Sequence, residues 1–199
     1  LEPEDIDIFY YLGSAHFAAG HFEDATEILR RASSVFRDSR VVSLYGFSRD
    51  DVDLLLARAL GSGGEFDASL ELLDELEARL ERDPGVAFFT AHFLDEAGDI
   101  EGSIKWYSHA IERDPQNAWA WYNRACEYAL TGEVDAAVSD LTRACELEVE
   151  CALAARHEPY LEGIEDDPGY REIVGFAESV ARELGLDTPV ECTVFIDDS

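Results

Sequence analysis

The sequence predicts an all-α fold, a stack of helix-turn-helix repeats closed by C-terminal capping helices. Three observations predict it. Glycines 20, 64, 98 and 132 open like segments: Gly-His-Phe-Glu-Asp-Ala, Gly-Glu-Phe-Asp-Ala-Ser, Gly-Asp-Ile-Glu-Gly-Ser and Gly-Glu-Val-Asp-Ala-Ala. Their spacings are 44, 34 and 34 residues, so a 34-residue unit recurs with one insertion of ten. A helical apolar pattern precedes and follows each glycine. Self-similarity at such a period marks a stacked-repeat architecture.

Each element has a local reason. The glycine supplies the turn, because a residue without Cβ ends a helix in the left-handed region at no steric cost. An apolar residue two positions on (Phe22, Phe66, Ile100, Val134) packs back on the pair. A small residue three beyond it (Ala25, Ser69, Ser103, Ala137) lets two helices approach closely. A larger apolar residue follows one turn later (Leu29, Leu73, Tyr107, Leu141), and Ala32, Leu76, Ala110 and Ala144 end the stripe. The i, i+4, i+7 spacing puts these residues on one helix face. In the first helices, the stripes are Phe9, Leu12, Gly13 and His16, then Ala87, Thr90, Ala91 and Leu94, then Trp121, Arg124, Ala125 and Tyr128. Asp114-Pro115 closes the third unit, since the residue before a proline is driven out of the helical region. In the second unit Asp83-Pro84 comes late, which predicts a longer second helix.

The four units run over residues 6–39, 50–83, 84–117 and 118–151, with the insertion at 40–49. Past 151 the pattern decays. Residues 152–163 and 170–185 read as two capping helices, separated by Asp-Asp-Pro-Gly. Arg171, Glu172, Glu178, Arg182 and Glu183 offer the polar outer face that the end of an array needs. Residues 186–199 read as an extended tail, strand-like in composition over 190–196.

Composition bounds the function. The chain has 199 residues, 44 acidic and 15 basic, for a net charge of −29. Lys105 is the only lysine. Such a charge argues against nucleic acid, which is bound by neutralising phosphates with Lys and Arg, and against docking on anionic lipid. No apolar run is long enough to span a membrane. A high-salt cytoplasm and a codon bias toward Arg and Ala both account for the acidity. Four cysteines (Cys126, Cys145, Cys151, Cys192) form no framework, which reads as reduced thiols in the cytoplasm. The absence of methionine makes Leu1 an unexpected natural start; trimming or processing would each explain it.

The repeat resembles the tetratricopeptide repeat family over roughly residues 6–151. The matching residues are Phe9, Leu12, Gly13, Gly20, Ala25, Leu29 and Ala32 in the first unit, and Ala91, Leu94, Gly98, Tyr107, Ala110 and Pro115 in the third. In the fourth they are Trp121, Ala125, Tyr128, Gly132, Ala137, Leu141 and Ala144. Asp53 and Arg124 depart from the pattern, standing where the family prefers an aromatic and an apolar residue. The resemblance implies a right-handed superhelical solenoid whose concave groove is lined by first-helix residues. Position by position, the groove would be lined by Tyr10, Tyr11, Phe17, Arg58, Phe88, Phe89, His92, Trp119, Tyr122 and Asn123, among others. Seven of these are aromatic, the commonest class of binding anchor. The basic clamp by which some family members hold chaperone C-termini is absent as a set, because the face offers Arg58 and Asn123 but no lysine.

No motif points to catalysis, and no catalytic residue, metal or cofactor is expected. Histidines 16, 21, 92, 109 and 157 lack HxxEH or HExxH spacing and read as core or surface residues. No GxSxG, GxxxxGK[ST] or GxGxxG occurs, and Gly61-Ser-Gly-Gly64 reads as a flexible turn. The expected function is a protein-interaction scaffold or adaptor. It would bind a peptide or helix bearing basic and apolar residues in an aromatic, acid-rimmed groove. Self-assembly into a homo-oligomer through the tail, or a regulatory role within a larger enzyme or complex, are the alternatives. The charge itself yields a test: salt screens self-repulsion, so the melting temperature should be higher in molar salt than in dilute buffer. A fall would contradict net self-repulsion.

Overall fold

The structure, a computed structural model, describes residues 4–38, 43 and 45–185. Among these it is all-α, with ten α-helices, one 3-10 helix and no strand. The chain divides into two compact units, between Asp99 and Ile100.

In the first unit, α1 (Glu4–Ala18) pairs with α2 (Phe22–Asp38), and α3 (Arg49–Ser62) pairs with α4 (Phe66–Leu80). Helix α2 also packs on α3, and α4 packs on α5 (Pro84–Glu96). In the second unit, α7 (Ala118–Thr131) packs on α6 (Ile100–Arg113) and on α8 (Val134–Leu147). A cap follows, made of α9 (Val149–Ala155), a 3-10 helix (Pro159–Ile164) and α10 (Pro168–Leu184).

The turn between successive helices is built the same way four times. Gly20, Gly64, Gly98 and Gly132 adopt φ of 75°, 85°, 85° and 81°. Each glycine N–H donates to the carbonyl three residues back, at 2.9, 2.8, 2.7 and 3.1 Å. The next residue's N–H donates to the carbonyl five back, at 2.9, 2.9, 2.8 and 2.8 Å. These bonds satisfy carbonyls that a helix end otherwise leaves without partners.

The second-helix stripe lies in the core as its spacing predicts. None of the twelve residues from Ala25 to Ala144 in that stripe is more than 1% exposed. The two serines in it have partners: the Ser69 hydroxyl donates to the Ala57 carbonyl at 2.7 Å, and Ser103 donates to Glu127 at 3.3 Å. The first helices follow their expected stripes less closely. Leu12 is 44% exposed and Ile8 60%, because no described element packs on that side of α1. In α5 the expected Ala87, Thr90 and Ala91 are buried together with Val86 and Phe93, while Leu94 is half-buried.

The two departures from the repeat pattern are charges with several partners each, Asp53 buried and Arg124 half-buried. Asp53 is wholly buried and accepts hydrogen bonds from Ser33 of α2, Arg49 of α3 at 3.1 Å and Arg79 of α4 at 2.8 Å. Arg124 donates to both carboxylate oxygens of Asp140, at 2.7 and 3.1 Å, and to Ser108 at 2.8 Å. A buried charge is tolerated when it is paired and hydrogen-bonded.

Two expectations need correction. Helix α4 is not appreciably longer: it has 15 residues against 14 in α6 and α8. The extra chain goes into Glu81 and Arg82, both with positive φ (33° and 73°), before the Asp83 side chain caps α5 by accepting from Val86 N–H at 3.0 Å. Residues 152–163 are not one helix either. Helix α9 ends at Ala155 and Pro159 opens the 3-10 helix, since proline has no N–H to continue an α-helix. The second capping helix forms as expected, with Asp167 accepting from Gly169 and Tyr170 N–H. Ala152, Leu161, Ile164, Tyr170 and Ile173 of the cap join the core of the second unit. The tail at 186–199, and self-assembly through it, lie outside the described residues.

Two substitutions test this packing. A Cβ at Gly61 would collide with the Phe93 ring. Gly61→Ala should therefore lower stability by about 1–3 kcal/mol, as overpacking does, read by urea unfolding. Asp53→Ala removes charge-assisted hydrogen bonds from three helices and should cost roughly 1.5–3 kcal/mol. An unchanged unfolding midpoint would show that the buried carboxylate is not stabilising.

Candidate interaction face

Within the first unit the structure brings residues of three first helices together. The Arg58 guanidinium of α3 lies over the Phe17 ring of α1, 5.0 Å from its centroid, and over the Phe89 ring of α5 at 4.9 Å. Each ring face attracts the cation, by about 0.5–1 kcal/mol where solvent reaches it. Phe17, Arg58 and Phe89 are 41 and 31 residues apart in sequence, so α1, α3 and α5 present one shared face. Phe88 stands edge-on to Phe89 with centroids 5.4 Å apart, and Phe89 stacks on Phe93 at 6.3 Å. Phe88 and Phe89 are each 7% exposed. They form the floor of this face rather than free anchors.

His92 is half-buried beside Phe93, with ring centroids 5.1 Å apart. Burial pushes its pKa below the ordinary 6.5, while the nearby carboxylates of Glu96 and Asp95 pull it back up. Burial dominates, so the imidazole is neutral near pH 7 and can both donate and accept a hydrogen bond.

The described residues of the insertion settle on α1. Phe47 stacks on Tyr10 with centroids 4.2 Å apart, Tyr45 stands edge-on to Tyr11 at 5.6 Å, and Ser43 donates to the buried Asp7 at 2.6 Å. Tyr10 is thus half-covered by the chain itself, whereas Tyr11 is 52% exposed. The aromatic pair Tyr45 and Phe47 is the sequence signal of this docking.

In the second unit, the groove position expected for Tyr122 is closed. Tyr122 is 2% exposed, and its hydroxyl donates to Glu158 at 3.4 Å. The cap lies over α7 here, for Glu158 caps the 3-10 helix that packs on α7. Trp119 stays half-buried, edge-on to Tyr122 at 5.4 Å. The Asn123 amide donates to the Tyr107 hydroxyl at 3.1 Å, which fixes its side chain.

Two further features are not legible from motifs. A cavity of about 400 Å³ between α8 and α10 is lined by Thr142, Cys145, Glu146, Ile173 and Phe176, among others. Burial pushes the Cys145 thiol up to about 12, so it stays protonated at neutral pH and is a poor nucleophile. At the first turn, His16, His21 and Asp24 bring ligand atoms within 4.8 Å of one another. No helix among the described residues is long and apolar enough to cross a membrane.

Comparison with known proteins agrees with this architecture. Tetratricopeptide repeat models match residues 54–118 and 106–139. No curated protein matches the chain in sequence. Among solved structures, the tetratricopeptide-like repeats of a kinesin light chain from Podospora anserina superpose with a TM-score of 0.71 at 15% identity, covering 93% of this chain and 99% of that one. A thermophilic repeat protein of Thermus thermophilus superposes with 0.67 at 20% identity, covering 89% and 92%. YrrB, described as a repeat protein with an unusual peptide-binding site, superposes with 0.56 at 19% identity, covering 71% and 68%. Likeness at these identities speaks for the fold. The family matches run from residue 54 to residue 139, so this part of the chain is identified as tetratricopeptide repeats, and the glycine turn at Gly20 has the same backbone as the three turns within it.

Proposed function

We propose that this chain is an adaptor that binds a peptide or helix of a partner protein on the face of its first helices. Tetratricopeptide repeats are generally non-catalytic modules of protein–protein interaction, and the fold of YrrB carries a peptide-binding site. The observation that carries the reading is the Arg58 guanidinium between Phe17 and Phe89, with exposed Tyr11 and half-buried His92 on the same three helices. Aromatic and arginine side chains are the groups in which interface energy concentrates. Trp119 and Asn123 would supply the corresponding surface of the second unit.

The partner segment is apolar with basic residues. Apolar side chains match the aromatic rings, while Lys or Arg answer carboxylates such as Asp95 and Glu96 near His92. At −29 the chain's own field steers cations toward it and chiefly raises the association rate. The free thiol of Cys145 suits a reducing compartment such as the cytoplasm.

The test is selection from a random peptide library on the full chain, followed by binding kinetics. Selected peptides should combine Lys or Arg with aromatic or aliphatic residues. Their association rate should fall several-fold between about 50 and about 300 mM salt. Tyr11→Ala and Trp119→Ala should each cost about 1–3 kcal/mol of binding where the residue is an anchor, with helical content unchanged. Neutral peptides, or full affinity in both variants, would place the site elsewhere.

A further inference from the structure

The first turn has the backbone of the other three but a different set of side chains. Its glycine register aligns His16 with Leu60, Leu94 and Tyr128. It aligns His21 with Glu65, Asp99 and Glu133, and Asp24 with Ala68, Gly102 and Ala136. Only in the first unit do all three positions carry a metal-type ligand, two imidazoles and a carboxylate.

The fold fixes these residues relative to one another. The His21 N–H donates to the His16 carbonyl at 2.9 Å, the long bond of the turn, so the two histidines are tied through the backbone. Asp24 stands three residues after His21, on the first turn of α2. The imidazole centroids are 5.8 Å apart. His16 Nδ1 and Asp24 Oδ2 are 3.6 Å apart, close to the ~3.4 Å between two ligands of a tetrahedral ion with bonds of about 2.1 Å. His16 Nδ1 is shielded from solvent and makes no hydrogen bond. A shielded polar nitrogen without a hydrogen bond is costly unless something else satisfies it, and a cation placed between it and Asp24 would do so. His21 and Asp24 are exposed, so their side chains have room to close on an ion and the site has an entry path.

We propose that His16, His21 and Asp24 form a binding site for a divalent transition-metal ion of the zinc type. Two nitrogens and one carboxylate oxygen suit Zn²⁺, Co²⁺ or Ni²⁺; the harder Mg²⁺ and Ca²⁺ prefer all-oxygen shells. Three protein ligands leave at least one position for water or for a side chain of another protein. An ion here would bridge α1 to α2 across the first turn.

Zinc titration by calorimetry, on the full chain and in excess Mg²⁺ to occupy scattered carboxylates, tests the site. Co²⁺ absorption gives a second readout. One equivalent of Zn²⁺ should bind per chain, and Co²⁺ should show ligand-field bands of nitrogen and oxygen ligation without thiolate charge transfer. His21→Gln and Asp24→Asn, both at exposed positions, should each weaken binding by about tenfold or more. Glu27→Gln, an equal charge change outside the cluster, should leave it intact. The proposal is overturned if no saturable binding rises above the Mg²⁺ background. Equal affinity in His21→Gln, or a thiolate signature with Co²⁺, would also overturn it by locating the ion at the cysteines.

Discussion

Everything in this fold depends on one backbone constraint, the left-handed glycine turn with its two hydrogen bonds. A side chain at that φ would cost of order 1–2 kcal/mol in each hairpin. With glycine there, the second helix leaves the turn at an angle that buries its small-large-small stripe against its partners. Because the turn repeats without change, its buried neighbours repeat too: Leu29, Leu73, Tyr107 and Leu141 are all inaccessible to solvent. The turn's outward positions carry no such constraint. The exposed position after the glycine holds His21 in one hairpin and Glu65, Asp99 or Glu133 in the others.

That division explains how much was legible in the sequence. The hairpins and the second-helix core follow from period and residue size, which are local properties. Asp53 and Arg124 were visible as departures, but their meaning lay in Ser33, Arg79 and Asp140, residues 16 to 26 positions away. Tyr122 sits at a groove position by register, yet the cap folds over it, and register carries no information about a segment that begins after the repeats end. The cluster at the first turn escaped because its ligands straddle a turn, whereas metal motifs are usually sought along one helix. Pro159 was the readable sign that the first capping segment could not be a single helix.

The net charge hides how the cations are used. Arg49 and Arg79 meet Asp53, Arg124 meets Asp140, and Arg30 meets Glu65. Arg31 lies over Phe9, as Arg58 does over Phe17. Arginine suits these tasks because its planar fork can bind a carboxylate in two places and stack on a ring. With so many guanidinium groups paired within the chain, the outward field is set by carboxylates.

The Asp53 contacts also bear on how the first unit comes apart. A hairpin array coupled by apolar contact alone can fray from its ends, one repeat at a time. Here one inaccessible carboxylate takes donors from α2, α3 and α4 together. Peeling away either neighbour strips the anion of partners while it is still enclosed. Partial opening is thereby penalised, and these three helices are bound into one cooperative folding block.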